Sequence, residues 1–266
     1  MTTPQALADN VGILKTRMGA FFAGSRAVFR GHDLHAELRD MDWVELYLFG
    51  ITGRRFTPQQ LELLHGILVY TSYPDARIWN NRVAALAGTA RTTPGLGITA
   101  AMAVSEASIY GGQPGVKSFN FFLRVQRHVA AGGDLAEFVA KEGRIYGFGR
   151  PTPETYDERI PWLKALAEKL GLADGPHFRI ALAVEKMLTA RHGHLHMNYA
   201  AITASLCADM GFSIFEFQVF RVPLFMAGMP PCYIEAVQKP EGATFPVPCS
   251  GVRYEGAARR RWKPAE

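Results

Sequence analysis

The run Gly147-Phe148-Gly149-Arg150-Pro151, closely followed by Asp157-Glu158-Arg159, combines residue types whose spacing could do chemistry. Two glycines and a proline shape a tight loop whose backbone N–H groups could approach a ligand. Arg159 offers a planar cation that matches a carboxylate. Arg150 can stabilise an oxyanion but keeps its proton near neutral pH, and it could equally be a structural fork that pairs a buried carboxylate. A second group of interest is His192-Gly193-His194-Leu195-His196. It reads as a solvated or structurally bonded loop, as a source of an acid or base at His194 or His196, or as metal ligands. No companion cysteine or carboxylate pattern supports the metal, so none is expected.

Composition bounds what such a site could serve. The 266 residues are 48% hydrophobic and 20% charged, ordinary for a globular protein able to bury a sizeable core. A net charge of +5 invites a nucleic-acid partner. The clearest basic cluster, however, is Arg259-Arg260-Arg261 with Lys263 near the end of the sequence, which reads as a solvated tail. No aromatic and basic residues interleave in the pattern of a nucleic-acid stacking platform, so nucleic acid is rejected as the main partner. Cys207, Cys232 and Cys249 form no CxxC pair, and an odd count at wide spacing suits a reducing compartment. The first ten residues lack a charged-then-apolar signal pattern, and no apolar run approaches the ~18 residues that span a bilayer. The expectation is a cytoplasmic protein with no membrane partner.

Helical periodicity recurs along the chain and strand signals are sparse. Residues 42–49 read as a short helix closed by a turn at 50–55. Thr57-Pro58-Gln59-Gln60 is an N-cap followed by an N1 proline, opening a helix that Pro74 stops. Ala-rich helices are expected at 83–88 and 98–109. Gly111-Gly112-Gln113-Pro114-Gly115 reads as a turn before a helix at 116–129. Further helices follow at 135–141, from Pro161 to Leu170, at 178–190, at 198–210 with Gly211 as C-cap, and at 214–226 behind Ser213. The segment 226–230 reads as helix termination, and Cys207 as core packing. The fold class is all-α, with about a dozen helices, no internal repeat and no low-complexity linker.

The order of these motifs resembles the citrate synthase superfamily in its short, citryl-CoA-lyase-like form, from about residue 43 to 256. Asp42-Trp43-Val44-Glu45-Leu46-Tyr47-Leu48 with Gly53-Arg54-Arg55-Phe56-Thr57-Pro58 is similar to the family's first long helix and following turn. Ile109-Tyr110-Gly111-Gly112 resembles its Leu-His-Gly-Gly segment, Gly147-Phe148-Gly149-Arg150 its Gly-Phe-Gly-His, and Asp157-Glu158-Arg159 its Asp-Pro-Arg. Asn198-Tyr199-Ala200-Ala201 occupies the place of Asn-Val-Asp-Phe. Phe220-Arg221 and Arg253-Tyr254-Glu255-Gly256 resemble its Gly-Arg pair and Arg-Tyr-Val-Gly ending.

That resemblance implies a large helical domain (about 1–130 plus 211–266) with a small helical lobe (about 131–210) over a cleft, assembled as a homodimer. It also implies which residues act. Arg159 and Arg221 match arginines that hold substrate carboxylates, and Gly147, Phe148 and Gly149 would lie against coenzyme A. The histidine that stabilises the acyl-CoA enol is here Tyr110, which is otherwise a core or turn tyrosine. The histidine that polarises the keto acid is Arg150, and the aspartate base is Ala200. A further substrate histidine falls around Ser72-Tyr73, and a third arginine is missing at Val247-Pro248. The expected ligand is a coenzyme A thioester or a di- or tricarboxylate, with Tyr110 and Arg150 as oxyanion stabilisers. The expected activity is C–C cleavage or formation of the citryl-CoA lyase type, not ordinary citrate synthesis. A non-catalytic acyl-CoA or polycarboxylate sensor and a hydrolase using His192–His196 are the alternatives.

Overall fold

A computed structural model of the chain describes residues 3–12, 14–150, 156–241, 243 and 249–258. Twelve α-helices dominate them. They are α1 (Pro4–Ala8), α2 (Trp43–Thr52), α3 (Pro58–Tyr70), α4 (Trp79–Thr89), α5 (Pro94–Val104), α6 (Gly112–Ala130), α7 (Leu135–Lys141), α8 (Arg159–Lys169), α9 (Pro176–His192), α10 (Tyr199–Asp209), α11 (Ile214–Phe220) and α12 (Met229–Val237). The fold class is all-α, as expected from the periodicity.

Local chemistry sets most boundaries. Thr57 and Ser213 each form a capping box, with Gln60 and Glu216 returning a hydrogen bond to the cap backbone. Asp42, Asp134 and Asn198 cap α2, α7 and α10 with their side chains. The Ala-rich helix α10 is the central rod: Tyr199 and every residue from Ala201 to Ala208 are buried. Helices α6, α8 and α9 pack around it. Its internal hydroxyls are satisfied within the helix, Thr203 donating to the Tyr199 carbonyl at 2.8 Å and Ser205 to that of Ala201 at 2.9 Å. A smaller core of Ala84, Ala101 and Met229 joins α4, α5 and α12.

Five features depart from the sequence expectations. An antiparallel sheet, β1 (Gly19–Phe22), β2 (Arg26–Phe29) and β3 (His32–Asp33), precedes α2. It is pinned by Arg30, which donates to the Gly50 carbonyl at 2.8 Å and the Ile51 carbonyl at 2.9 Å, a cation at the negative end of α2. Residues 112–115 are not a turn but the opening of α6. Only Gly111, at φ +68°, turns the chain, and Pro114 is tolerated because the first N–H groups of a helix have no intrahelical partner. Helix α5 stops at Val104 rather than reaching 109. The helix expected to run to 226 ends at Phe220, ahead of Pro223, and Pro230 and Pro231 open α12 instead of following a terminus. No helix of the described residues is long and apolar enough to cross a membrane.

Candidate functional site

The glycine run is strapped to the start of α10. The Gly149 N–H donates to the His196 carbonyl at 2.7 Å and the Asn198 N–H to the Gly147 carbonyl at 2.9 Å. The Asn198 side chain completes the strap: its amide N–H donates to the Gly149 carbonyl at 2.7 Å, and its oxygen accepts from the Ala200 N–H at 2.9 Å. A Cβ on Gly147, at φ +99°, would lie 2.7 Å from the Ala201 Cβ. Close helix packing therefore accounts for that glycine, and Phe148 is buried in the core. The Gly149 N–H is engaged inside the chain rather than free for a ligand. Pro151 and Val247-Pro248 lie outside the described residues.

Arg150 and Arg159 share one neighbourhood through Glu158. Arg150 donates from Nη1 to the Tyr156 carbonyl at 2.8 Å and to Glu158 Oε2 at 2.6 Å. The other oxygen of Glu158 accepts the Tyr73 hydroxyl at 2.8 Å. Burial, with the bond to Glu158, pushes the Tyr73 phenol up to about 12. Burial raises the Glu158 carboxyl, but its own N–H, Arg150 and Tyr73 outweigh that and hold it below its ordinary value. Arg159 opens α8 and donates from Nε and Nη2 to Asp157 at 2.8 and 2.7 Å. Asp157 is wholly buried and also accepts the Tyr199 N–H at 2.9 Å. One edge of Arg159 is thus filled by the chain's own carboxylate. Its guanidinium lies over the Tyr199 ring at 4.6 Å and the Tyr73 ring at 5.5 Å. Tyr70, Tyr73, Glu158, Arg159 and Trp162 line a cavity of about 280 Å³.

Arg221 belongs to a second locus, at the N-terminus of α6. It is 5% exposed, donates from Nη2 to the Gly111 carbonyl at 2.8 Å, and has no hydrogen-bond partner at Nε or Nη1. No carboxylate pairs with it among the described residues. Burial depresses its pKa, opposed by Tyr199 and Glu106. Gly115 is the contact that admits it: a Cβ there would stand 1.5 Å from Nη1. Tyr110 flanks the same locus, partly exposed, its ring 6.2 Å from that of Trp79. Tyr199 links the two loci, carrying Arg159 on its ring and feeling the charge of Arg221.

The histidines are not gathered into a cluster. His192 and His194 are exposed, whereas His196 lies 4.1 Å from the Tyr156 ring with Nδ1 3.7 Å from Glu185. No group of three metal-ligating side chains occurs among the described residues. Trp162 was not singled out by the sequence reading, and Tyr73 and Glu158 were named there without a role. The available signals were their positions: Tyr73 beside the place of a substrate histidine, and Glu158 where the resembled motif has proline.

A family model for the citrate synthase C-terminal domain matches residues 6–228. The chain belongs to the citrate synthase family. No curated protein matches it by sequence. Among solved structures, the citryl-CoA lyase from Hydrogenobacter thermophilus superposes with a TM-score of 0.81 at 18% identity, covering 94% of this chain and 98% of that one. The ATP citrate lyase from Methanothrix soehngenii, in complex with citrate and coenzyme A, gives 0.73 at 16% identity over 96% of this chain and 44% of its own. The citrate synthase from Thermoplasma acidophilum, in a ternary complex with carboxymethyl coenzyme A and oxaloacetate, gives 0.66 at 19% identity over 84% of this chain and 59% of its own. At these identities the likeness is one of fold.

Proposed function

We propose that this chain binds a carboxylated coenzyme A thioester and makes or breaks a C–C bond beside the thioester carbonyl, as a citryl-CoA lyase does. One observation carries the proposal: Arg221 is a buried guanidinium with two unpartnered donor atoms. A buried, uncompensated cation costs several kcal/mol. An anionic ligand removes that cost, and a carboxylate matches the planar donor set. In this reading the free edge of Arg159 receives a second carboxylate, and Tyr110 and Arg150 donate to the oxyanion that develops during reaction. The thioester lies beside the Gly147–Gly149 run. Residues 131–210 act as the small lobe, and the working form is a cytoplasmic homodimer.

Binding without turnover is the second reading. The ion pair between Arg150 and Glu158 favours it, because a paired guanidinium is a weaker oxyanion donor.

Calorimetric titration with citryl-CoA, coenzyme A and citrate, followed by chromatography of the products, tests both. Saturable citryl-CoA binding that Arg221→Ala abolishes is the expected result. No binding of any of the three at millimolar concentration refutes the proposal, and binding with no product establishes the second reading.

A further inference from the structure

We infer that Glu158 is the proton acceptor of the site, a role that rests on the lyase reading above. The observation is a convergence. Tyr73, Arg150 and Glu158 each stand where the resembled motifs carry a different residue, around a substrate histidine, at the carbonyl-polarising histidine and at the proline of Asp-Pro-Arg. The fold joins these three replacements in one hydrogen-bonded cluster, with Tyr73 on one oxygen of Glu158 at 2.8 Å and Arg150 on the other at 2.6 Å. The cluster supplies a carboxylate in a family site whose aspartate position is here occupied by Ala200.

Local geometry leaves that carboxylate available. Glu158 occupies the N-cap position of α8 yet makes no side-chain cap bond, so its carboxylate is not consumed by the helix it precedes. Its side chain is 56% exposed and lines the cavity of about 280 Å³ with Arg159, Tyr70, Tyr73 and Trp162. A carboxylate offers about four acceptor sites, so the bonds from Tyr73 and Arg150 and the contact with its own N–H still leave capacity for a substrate hydroxyl. Asp157, its neighbour, is the opposite case: wholly buried, with both oxygens taken by Arg159 and the Tyr199 N–H. Two adjacent acids thus divide the work, one structural and one facing the cavity.

The groups around Glu158 define the substrate class. Arg159 lines the same cavity and keeps its Nη1 end without a hydrogen bond among the described residues. A hydroxyl bound to Glu158 therefore sits beside a site for a carboxylate, which fits a β-hydroxyacyl thioester bearing a carboxylate near the hydroxyl carbon. In the cleavage direction Glu158 takes the hydroxyl proton and the C–O bond becomes C=O. The bond to the thioester α-carbon breaks, and its electron pair moves onto the thioester oxygen as an enolate, where Arg150 donates. The α-carbon then recovers the proton from Glu158, giving a ketone and a shortened acyl thioester with no net proton change and no oxidant.

Glu158→Gln and Glu158→Asp, with citryl-CoA as probe, test this by titration and by product formation against pH. The expected result is wild-type cleavage that falls about 10²–10⁴-fold in Glu158→Gln. Citryl-CoA affinity should stay within about threefold, Glu158→Asp should partly restore the rate, and the acid limb of the pH profile should disappear in Glu158→Gln. Arg150, Arg159, Tyr73 and Asp157 are the charged and titratable groups around that limb. Cleavage by Glu158→Gln within about fivefold of wild type overturns the assignment. Wild-type binding with no cleavage also overturns it while leaving ligand recognition intact. Absence of binding removes the lyase reading itself, and the titration arm separates that failure from the other two.

Discussion

Replacing Arg221 with methionine should stabilise the ligand-free protein and destroy its ligand response. Methionine keeps a long flexible chain and removes the charge and all donors. The wild-type residue leaves Nε and Nη1 without partners in a 5% exposed position. Each unsatisfied buried donor costs about 1–3 kcal/mol, and replacing buried charged groups with apolar ones of similar volume gains about 1–4 kcal/mol. Relieving the two unpartnered donors, about 4 kcal/mol at mid-range, stands against the lost bond from Nη2 to the Gly111 carbonyl at 2.8 Å, worth about 2 kcal/mol as a bond from a charged group. The expected net gain is about 2 kcal/mol. At about 2–4 °C per kcal/mol for a chain of this class, the melting temperature of Arg221→Met rises by roughly 4–8 °C. Differential scanning calorimetry with and without citryl-CoA reads both effects. A destabilised Arg221→Met that still shows the wild-type ligand shift would mean that the guanidinium is structural, and the argument from its unpaired donors would fail.

Three further outcomes follow from the same geometry. Gly115→Ala should favour α6 by about 0.5–1 kcal/mol on helix propensity but displace the Arg221 guanidinium, since its Cβ would stand 1.5 Å from Nη1; titration should show citryl-CoA binding lost. Asp157→Asn should cost about 3–5 kcal/mol in urea denaturation by leaving Arg159 buried and unpaired. Burial raises the Asp157 carboxyl, but Arg159 and backbone N–H groups outweigh it and hold the folded pKa below the ordinary 3.8. Its stabilisation is therefore complete above that value and fades as pH falls through the folded one, a slope that Asp157→Asn should lack. Acetyl-CoA with oxaloacetate should give no detectable citrate in a coupled assay. Robust turnover abolished by Arg159→Ala would overturn the register that places Ala200 at the base.

Helices were legible wherever caps and periodicity agreed. The capping boxes at Thr57 and Ser213 announce α3 and α11, and the small-residue run of α10 announces a rod that neighbours approach closely. The sheet at 19–33 was not legible, because its strands are two to four residues long and it is held by Arg30 reaching a helix 20 residues away. Helix α12 was hidden by Pro230 and Pro231, which stop a helix in its interior but are accommodated in its first turn. Within the site, Gly147 and Gly149 were read both as turn formers and for ligand approach. The structure gives them a packing role: close contact with α10 requires Gly147, and the Gly149 N–H bonds to the His196 carbonyl. The bond from Tyr73 to Glu158 crosses 85 positions and exists only through packing of α3 against α8, so no local pattern could reveal it.

Arg159 and Arg221 show two ways in which a fold keeps a buried cation, and the difference ranks them as ligand sites. Arg159 is compensated from within: Asp157 takes one edge in a two-point pair, and the rings of Tyr73 and Tyr199 receive its face. It would remain in place in a protein that bound nothing. Arg221 has one carbonyl, one ring contact with Phe217 at 5.3 Å, and a glycine that must lack a side chain to admit it. A scaffold without a ligand gains nothing from that arrangement, since an apolar residue in its place would be more stable. Under the proposed function, Arg221 is therefore the residue whose presence depends on an anion, and Arg159 would orient a second group once that anion has bound. The order can be read experimentally: Arg221→Ala should abolish citrate binding outright. Arg159→Lys, which keeps the charge but loses the fork, should weaken it while leaving a measurable site.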